Sequence, residues 1–310
     1  MRVFVTGGAG FIGSYVCEIL LQNGAEVVAI DDFSTGHSRI DGTEIIEGDV
    51  RNFDEVLSAM SGCTHVAHLA AMASVPASVA NPSLSEAINL QGTLNVIEAA
   101  KQVGVKRIVF SSTAAVYGNT TELPVTESTV TQCQSPYAED KLAAEIATLH
   151  SGIEAISLRY FNVHGPRQDP NGAYAAVIPV FIQMLMEKKS PTIFGTGEAT
   201  RDFVSVSDVA ELNLKALTTE NEAALGDVYN VGAGSSMSVL ELFNTLRELL
   251  SASDSEIQAV EPTFAPPREG DILHSSASIE KARELLGYEP ETNHPRALSE
   301  TVQAYWADQA

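Results

Sequence analysis

The sequence predicts an α/β protein: a doubly wound parallel sheet with helices on both faces, followed by a smaller C-terminal region. Two observations carry this. Short, apolar, β-branched runs alternate with helical patterns through the first half of the chain, and a glycine-rich turn joins the first run to the first helix. A strand separated from the next by a helix pairs with it in parallel, and the helices then cover both sheet faces.

Taken in order, strand patterns fall at 2–6, 26–30, 65–67, 107–111 and 155–158, and helical patterns at 13–23, 82–103 and 136–150. Gly24, Gly104 and Gly152 each follow a helix, where a left-handed cap belongs. After Gly165 the pattern loosens. Pro166, Pro170, Gly172, Pro179 and Pro191 punctuate it, and 261–267 is proline-rich. This second, smaller region supplies binding loops without being cleanly separate, because 201–210 and 227–232 read as strand or strand-plus-helix pieces that rejoin the first sheet. The expected division is 1–165 plus about 200–235 for one domain, and about 166–199 with 236–310 for the other.

At 310 residues, 45% of them apolar, the chain holds ample core for one large domain or two modest ones. It opens on a strand pattern, so no secretory signal is expected, and no run nears the roughly 20 apolar residues of a membrane span. Three scattered cysteines (Cys17, Cys63, Cys133) make neither a disulfide framework nor a metal cluster; reduced thiols in a cytoplasmic protein without a metal are expected. A net charge of −22 counts against nucleic acid and anionic membrane as partners. It also requires that a phosphate-bearing ligand be held by a few local cations and backbone amides. A high-salt habitat would account for the acidity, and so would an ordinary acidic surface.

The first strand runs into Gly7-Gly8-Ala9-Gly10-Phe11-Ile12-Gly13. Gly7 permits the tight turn, Gly10 lets the backbone approach a pyrophosphate, and Gly13 lets helix pack on strand, with the helix N-terminus facing the phosphates. Asp31, 18 residues past Gly13 and at the end of the next strand, is placed to accept ribose hydroxyls and repel a 2′-phosphate. Together these predict a Rossmann-like NAD-binding domain. Asp49 reads either as a contact to the adenine end or as a solvated loop acid.

Tyr137 and Lys141 lie four residues apart, which puts both side chains on one helical face. An ammonium that close is expected to favour the phenolate and lower the tyrosine pKa toward working pH. Such a tyrosine takes a proton from a hydroxyl while the carbon beneath gives up hydride. Of the eight tyrosines, only Tyr137 has a lysine four residues on.

Thr6 to Gly13, Asp31-Asp32-Phe33-Ser34, His68-Leu69-Ala70-Ala71, Ser111-Ser112-Thr113-Ala114-Ala115-Val116-Tyr117-Gly118, Tyr137-x-x-x-Lys141 and Arg159-Tyr160-Phe161-Asn162-Val163 occur in that order. Together they resemble the extended short-chain dehydrogenase/reductase family, most closely its UDP-hexose 4-epimerases of the UDP-glucose/UDP-N-acetylglucosamine type. The resemblance implies an isomerase with tightly bound NAD. Thr113 then hydrogen-bonds the substrate 4-hydroxyl, Tyr137 is the base and Lys141 its partner. Besides the glycine loop and Asp31, it implies cofactor contacts at Asp32, Asp49, Val50, Leu69, Ala70, Ala71, Asn89, Ser111 and Tyr160. It implies that Asn162, Arg201 and Arg268 bind the UDP diphosphate, that Thr192 and Phe194 belong to a uridine-holding loop, and that Ser74 and Ser275 line the sugar pocket. A planar guanidinium fork suits phosphate oxygens. Serine at 275, where a bulky tyrosine would crowd an N-acetyl group, implies that UDP-N-acetylglucosamine and its galacto epimer are also accepted. The run 167–176 resembles that of members accepting this sugar.

The reaction so implied removes hydride from C4 to NAD, lets the 4-keto sugar turn about its diphosphate, and returns hydride to the other face. The alternatives share this fold. Sugar 4,6-dehydratases carry an Asp-Glu pair directly after the Thr, and UDP-glucuronate decarboxylases usually keep the Glu; here those positions are Ala114 and Ala115. A UDP-glucuronate 4-epimerase stays open. A non-catalytic NAD-binding scaffold would typically have lost Tyr137 or Lys141. By analogy, the helices at 82–103 and 136–150 imply a homodimer.

Overall fold

The structure, a computed structural model, describes residues 1–170, 176–267 and 272–307. Its centre is a seven-stranded parallel sheet. The strands are β1 (Arg2–Thr6), β2 (Glu26–Asp31), β3 (Thr43–Glu47), β4 (His65–His68), β5 (Arg107–Thr113), β6 (Glu154–Tyr160) and, after the shorter strands β7 to β10, β11 (Asp227–Val231). Their order is β11-β6-β5-β4-β1-β2-β3. Strand order reverses between β1 and β4, and ligands of such sheets bind in the crevice outside the strand C-termini at that point.

Val3, Phe4 and Val5 are fully buried because both faces of β1 are covered. On one face, helices α1 (Phe11–Gln22) and α8 (Val206–Thr218) pack Val16, Leu20, Val209 and Leu212 against Val3, Val5 and Val109. On the other, α2 (Phe53–Ala59) and α5 (Gly92–Val103) pack Val56, Val96, Ile97 and Ala100 against Phe4, Val28 and Ile108. A third apolar cluster joins α7 (Val177–Met186), α9 (Val239–Ser251) and α11 (His294–Ala307) through Phe181, Leu185, Phe243, Leu246 and Leu298. Among the described residues, no helix is long and apolar enough to cross a membrane.

Several elements differ from expectation. The sequence pattern missed β3 and α2, which are only five and seven residues long. The predicted helix at 82–103 is α4 (Pro82–Glu86), a widened π turn at Ala87–Gln91, and α5. The Asn89 side chain reaches out of that turn to accept the Met72 amide at 2.9 Å, while Thr93 Oγ1 donates to the Asn89 carbonyl at 2.6 Å. Such turns concentrate at functional sites. The piece at 201–210 does not rejoin the central sheet as a strand. Strand β9 (Thr200–Arg201) pairs with β12 (Met237–Ser238), and β10 (Phe203–Ser205) pairs with β7 (Asn162–His164). Between them the buried Asp202 accepts the Ala233 and Ala277 amides and turns the chain. The predicted strand at 227–232 does join, as β11 beside β6. Gly24, Gly104 and Gly152 have φ of 76°, 79° and 83°, the left-handed conformation expected of them.

Candidate active site

The glycine loop fits a dinucleotide phosphate. Helix α1 begins at Gly10 with no side-chain cap, so its first amides are left for a ligand. Gly7 has φ of 70°, and a Cβ there would lie 2.9 Å from the Ala70 amide nitrogen. A Cβ on Gly13 would sit 1.9 Å from the Gly7 carbonyl, so the helix reaches the strand only without one. At Gly10 the nearest atom to such a Cβ is a single carbonyl oxygen at 3.2 Å, which leaves the pyrophosphate side open. Phe11 and Ile12, half-buried, open the helix.

Asp31 stands at the end of β2. Burial raises its pKa, and amides of Phe33 and Ala9 hydrogen-bonding to its two oxygens oppose that. A carboxylate offers about four acceptor positions, so acceptor capacity remains for a ribose hydroxyl. Asp32 accepts the Ser34 amide and hydroxyl. Asp49 pairs with Arg51, which holds its carboxyl below the ordinary range. Val50 is packed against Gly92. The amides of Leu69 and Ala70 both donate to Thr6 Oγ1 at 3.0 Å, and Ala71 follows half-buried. The hydroxyl of Tyr160 is spent inside the protein, 2.9 Å from Ser111 Oγ and 2.8 Å from Asn213 Nδ2, and burial pushes it up to about 12. Tyr160 therefore has its ring, not its hydroxyl, to offer a cofactor.

Tyr137 lies in the first turn of α6 (Pro136–Leu149), which Ser135 caps by accepting the Ala138 amide. Its own amide donates to Ser78 Oγ at 3.1 Å, fixing where the helix starts. The phenol faces the Thr113 hydroxyl at the end of β5, and that hydroxyl accepts the Ala115 amide at 3.2 Å. Here the expected electrostatics need correction. Burial raises the Tyr137 pKa and only the Thr113 hydroxyl opposes it. Lys141 does not pull it down, because its Nζ lies over the Phe110 ring, 4.2 Å from the centroid, and burial pushes Lys141 itself down to about 7.

Strand pairing brings three of the proposed substrate residues together. Asn162, exposed on β7, donates its amide to the Asp202 carbonyl at 3.0 Å, next to Arg201. The Ser275 amide donates to the Thr200 carbonyl at 3.1 Å, so the residue expected to gate the sugar lies against the Arg201 strand. Arg201 Nη1 donates to the Thr200 carbonyl at 2.9 Å. Thr192 and Phe194 lie on β8 (Thr192–Phe194), which pairs with β13 (Thr263–Ala265), the strand leading toward 268. Ser74 spends its hydroxyl capping α3 (Val75–Ala80), accepting the Ala77 amide at 3.2 Å. Arg268 lies outside the described residues.

Sequence reasoning gave no role to four residues that shape this site. Asp202 ties β10 to Ala233 and to Ala277, two residues past Ser275. Asn213 holds Tyr160, and Ser78 holds the Tyr137 amide. Glu145 forms a buried pair with Arg159 at 2.6 Å. Only Glu145 carried a signal, as an acid one helical turn beyond Lys141.

A switch-point crevice, a phosphate-ready glycine loop and a buried Thr–Tyr pair with lysine one turn on define a nucleotide-dependent α/β enzyme of the short-chain dehydrogenase type. The chain belongs to the NAD dependent epimerase/dehydratase family, whose profile matches residues 3–232. It is 35% identical over 318 residues to the UDP-glucose 4-epimerase of Mycolicibacterium smegmatis, with 98% of each chain covered. It superposes on the crystal structure of UDP-glucose 4-epimerase with UDP-glucose from Thermotoga maritima at a TM-score of 0.92, with 34% identity and all of both chains covered. It superposes on the UDP-N-acetylglucosamine 4-epimerase of Methanobrevibacter ruminantium, in complex with UDP-N-acetylmuramic acid, at 0.91, with 34% identity and 99% and 98% of the two chains covered.

Proposed function

We propose that this chain is an NAD-dependent isomerase that inverts C4 of a UDP-hexose, interconverting UDP-glucose with UDP-galactose and UDP-N-acetylglucosamine with UDP-N-acetylgalactosamine. The observation that carries the reading is the buried Tyr137 facing Thr113 at the sheet's C-terminal edge, with Lys141 one turn on and alanines at 114 and 115. A dehydratase needs an acid and a base at those two positions. The UDP-glucose and UDP-N-acetylglucosamine 4-epimerases this chain resembles over their full length support the same substrates.

NAD, when bound, supplies a hydride acceptor and donor and a positively charged ring. The chain supplies the rest. Asn162, Arg201 and Arg268 hold the diphosphate, so binding energy is concentrated on UDP and the sugar is free to turn. Tyr137 takes the proton of the 4-hydroxyl and later returns it, and Thr113 hydrogen-bonds the same oxygen and fixes it beside the phenol. Lys141 would hold the nicotinamide ribose. The 4-keto sugar rotates about its diphosphate anchor and presents its other face. Ser275 leaves room for an acetamido group at C2.

We also place the cofactor in a domain of 1–165 plus about 200–235 and the UDP-sugar between it and the remainder, in a cytoplasmic homodimer. Leu94 on α5 and Ile146 on α6, 39% and 50% exposed, give those helices an apolar outer face that supports the dimer. Purified protein incubated with UDP-galactose and UDP-N-acetylgalactosamine, with product sugars resolved by chromatography, tests the function. Conversion of at least one pair is expected; failure to convert either by protein that retains NAD overturns it.

A further inference from the structure

Lys141 is only 2% exposed, yet the proposed role needs its ammonium. Burial opposes that charge, and the face of one aromatic ring favours it only weakly. Phe110 from β5 lies beneath it, and beyond that ring stands His68 from β4, the two rings' centroids 5.6 Å apart. His68 is buried and neutral, pushed down to about 3 by burial and by the Lys141 charge. Its neighbour Asp140 points away, accepting Ser85 Oγ at 2.5 Å. Tyr137, one turn back, is protonated. The acid that favours the ammonium is Glu145, one turn forward on the same helix.

Glu145 is also 2% exposed and locked in place. Arg159 on β6 donates Nε to Oε2 at 3.0 Å and Nη2 to Oε1 at 2.6 Å, and Ser157 Oγ donates to Oε2 at 3.1 Å. Arg159 Nη1 donates to the Tyr117 hydroxyl at 2.9 Å, and that hydroxyl donates to Asn230 at 2.6 Å. A buried ion pair is weak evidence for stability, since apolar residues often serve as well. This one places an anion of fixed position one turn from the lysine the chemistry needs.

We propose that Glu145, clamped by Arg159 and Ser157, is a positioning residue whose buried charge keeps the Lys141 ammonium charged beside Tyr137. The inference rests on the proposed function only for what the ammonium is used for. Removing the Glu145 charge makes Lys141 easier to deprotonate; removing the Arg159 charge leaves Glu145 unopposed and makes it harder.

The test is a pH titration of Lys141 followed by NMR in the full-length protein carrying 13Cε-lysine, with the signal assigned by its loss in Lys141→Met. In Glu145→Gln the midpoint is expected to fall by about one to two pH units, and in Arg159→Gln to rise. The alkaline limb of kcat against pH moves with it, while KM for the UDP-sugar stays put. A merely structural pair would destabilise both variants without opposite shifts. If both variants fail to fold, Glu145→Asp withdraws the charge by one methylene and is expected to lower the midpoint by a smaller amount. An unmoved midpoint in a folded Glu145→Gln, or in Glu145→Asp where that is the variant measured, overturns the inference. The titration needs no turnover, so an inactive wild-type protein sinks the functional reading alone.

Discussion

At the Tyr137 hydroxyl, burial raises the proton's affinity and the Thr113 hydroxyl opposes it. A phenol so held is a poor base until a positive charge arrives, which ties proton removal to the loaded site. Tyr137→Phe keeps the ring and removes the proton acceptor. It is expected to lower kcat by about 10²- to 10⁴-fold with NAD still bound, read by product formation and by cofactor released on denaturation. Ser275 is the residue proposed to set selectivity. Its backbone is pinned to Thr200, so a larger side chain there stays in the pocket. Ser275→Tyr should cut kcat/KM for UDP-N-acetylglucosamine by at least about tenfold and spare UDP-glucose. Equal losses on both sugars would remove residue 275 from the acetamido pocket.

At the scale of elements, the strand–turn–helix unit β1–α1 carries the cofactor, and its geometry depends on a missing methyl. A Cβ at Gly13 meets the Gly7 carbonyl at 1.9 Å, backbone against backbone, which a rotamer change does not relieve. Gly13→Ala should therefore cost about 1–3 kcal/mol in unfolding free energy and release NAD during purification, checked by denaturant titration and by cofactor content. Strands β1, β2, β4, β5 and β6 and helices α1 and α6 were legible in the sequence, as were the glycine loop and the Tyr-Lys pair, because each is set by periodicity or by a backbone demand within a few residues. Strand β3, helix α2 and the π turn at Asn89 were not. The first is Thr43-Glu44-Ile45-Ile46-Glu47, with only two apolar residues, the second spans about two turns, and the third exists because Asn89 and Thr93 find partners in the packed chain.

On the scale of the whole molecule, two charge effects are expected. His68 and His164 are buried and neutral, each pushed from 6.5 down to about 3, by burial and by the charges of Lys141 and His294 respectively. The unfolded chain takes up those protons below 6.5 and the folded chain does not, so stability is present above that pH and lost as pH falls through the window. Asp202 and Asp208, raised by burial to about 6, run the other way between there and their ordinary value near 3.8, but their shifts are smaller. Melting temperature should drop from pH 7 to pH 5, and the drop should shrink in His164→Phe. The second effect follows from the net charge of −22, whose self-repulsion salt screens. Melting temperature should rise between about 0.05 and 1 M potassium chloride; a flat response removes repulsion as a factor in stability.

The parallel α/β sheet, the dinucleotide turn, the acid at the end of β2 and the Tyr-Lys pair follow from the order of residues alone, since these depend on local periodicity, glycine's conformational freedom and i, i+4 spacing. Only the tertiary structure decided that Lys141 lies over Phe110 and leaves Tyr137 raised, that Tyr160 spends its hydroxyl on Ser111 and Asn213, and that Asp202 draws Asn162, Arg201 and Ser275 together. Those outcomes turn on burial and on partners far apart in the chain, and a pKa or a hydrogen bond is fixed only once the surroundings that desolvate it are in place.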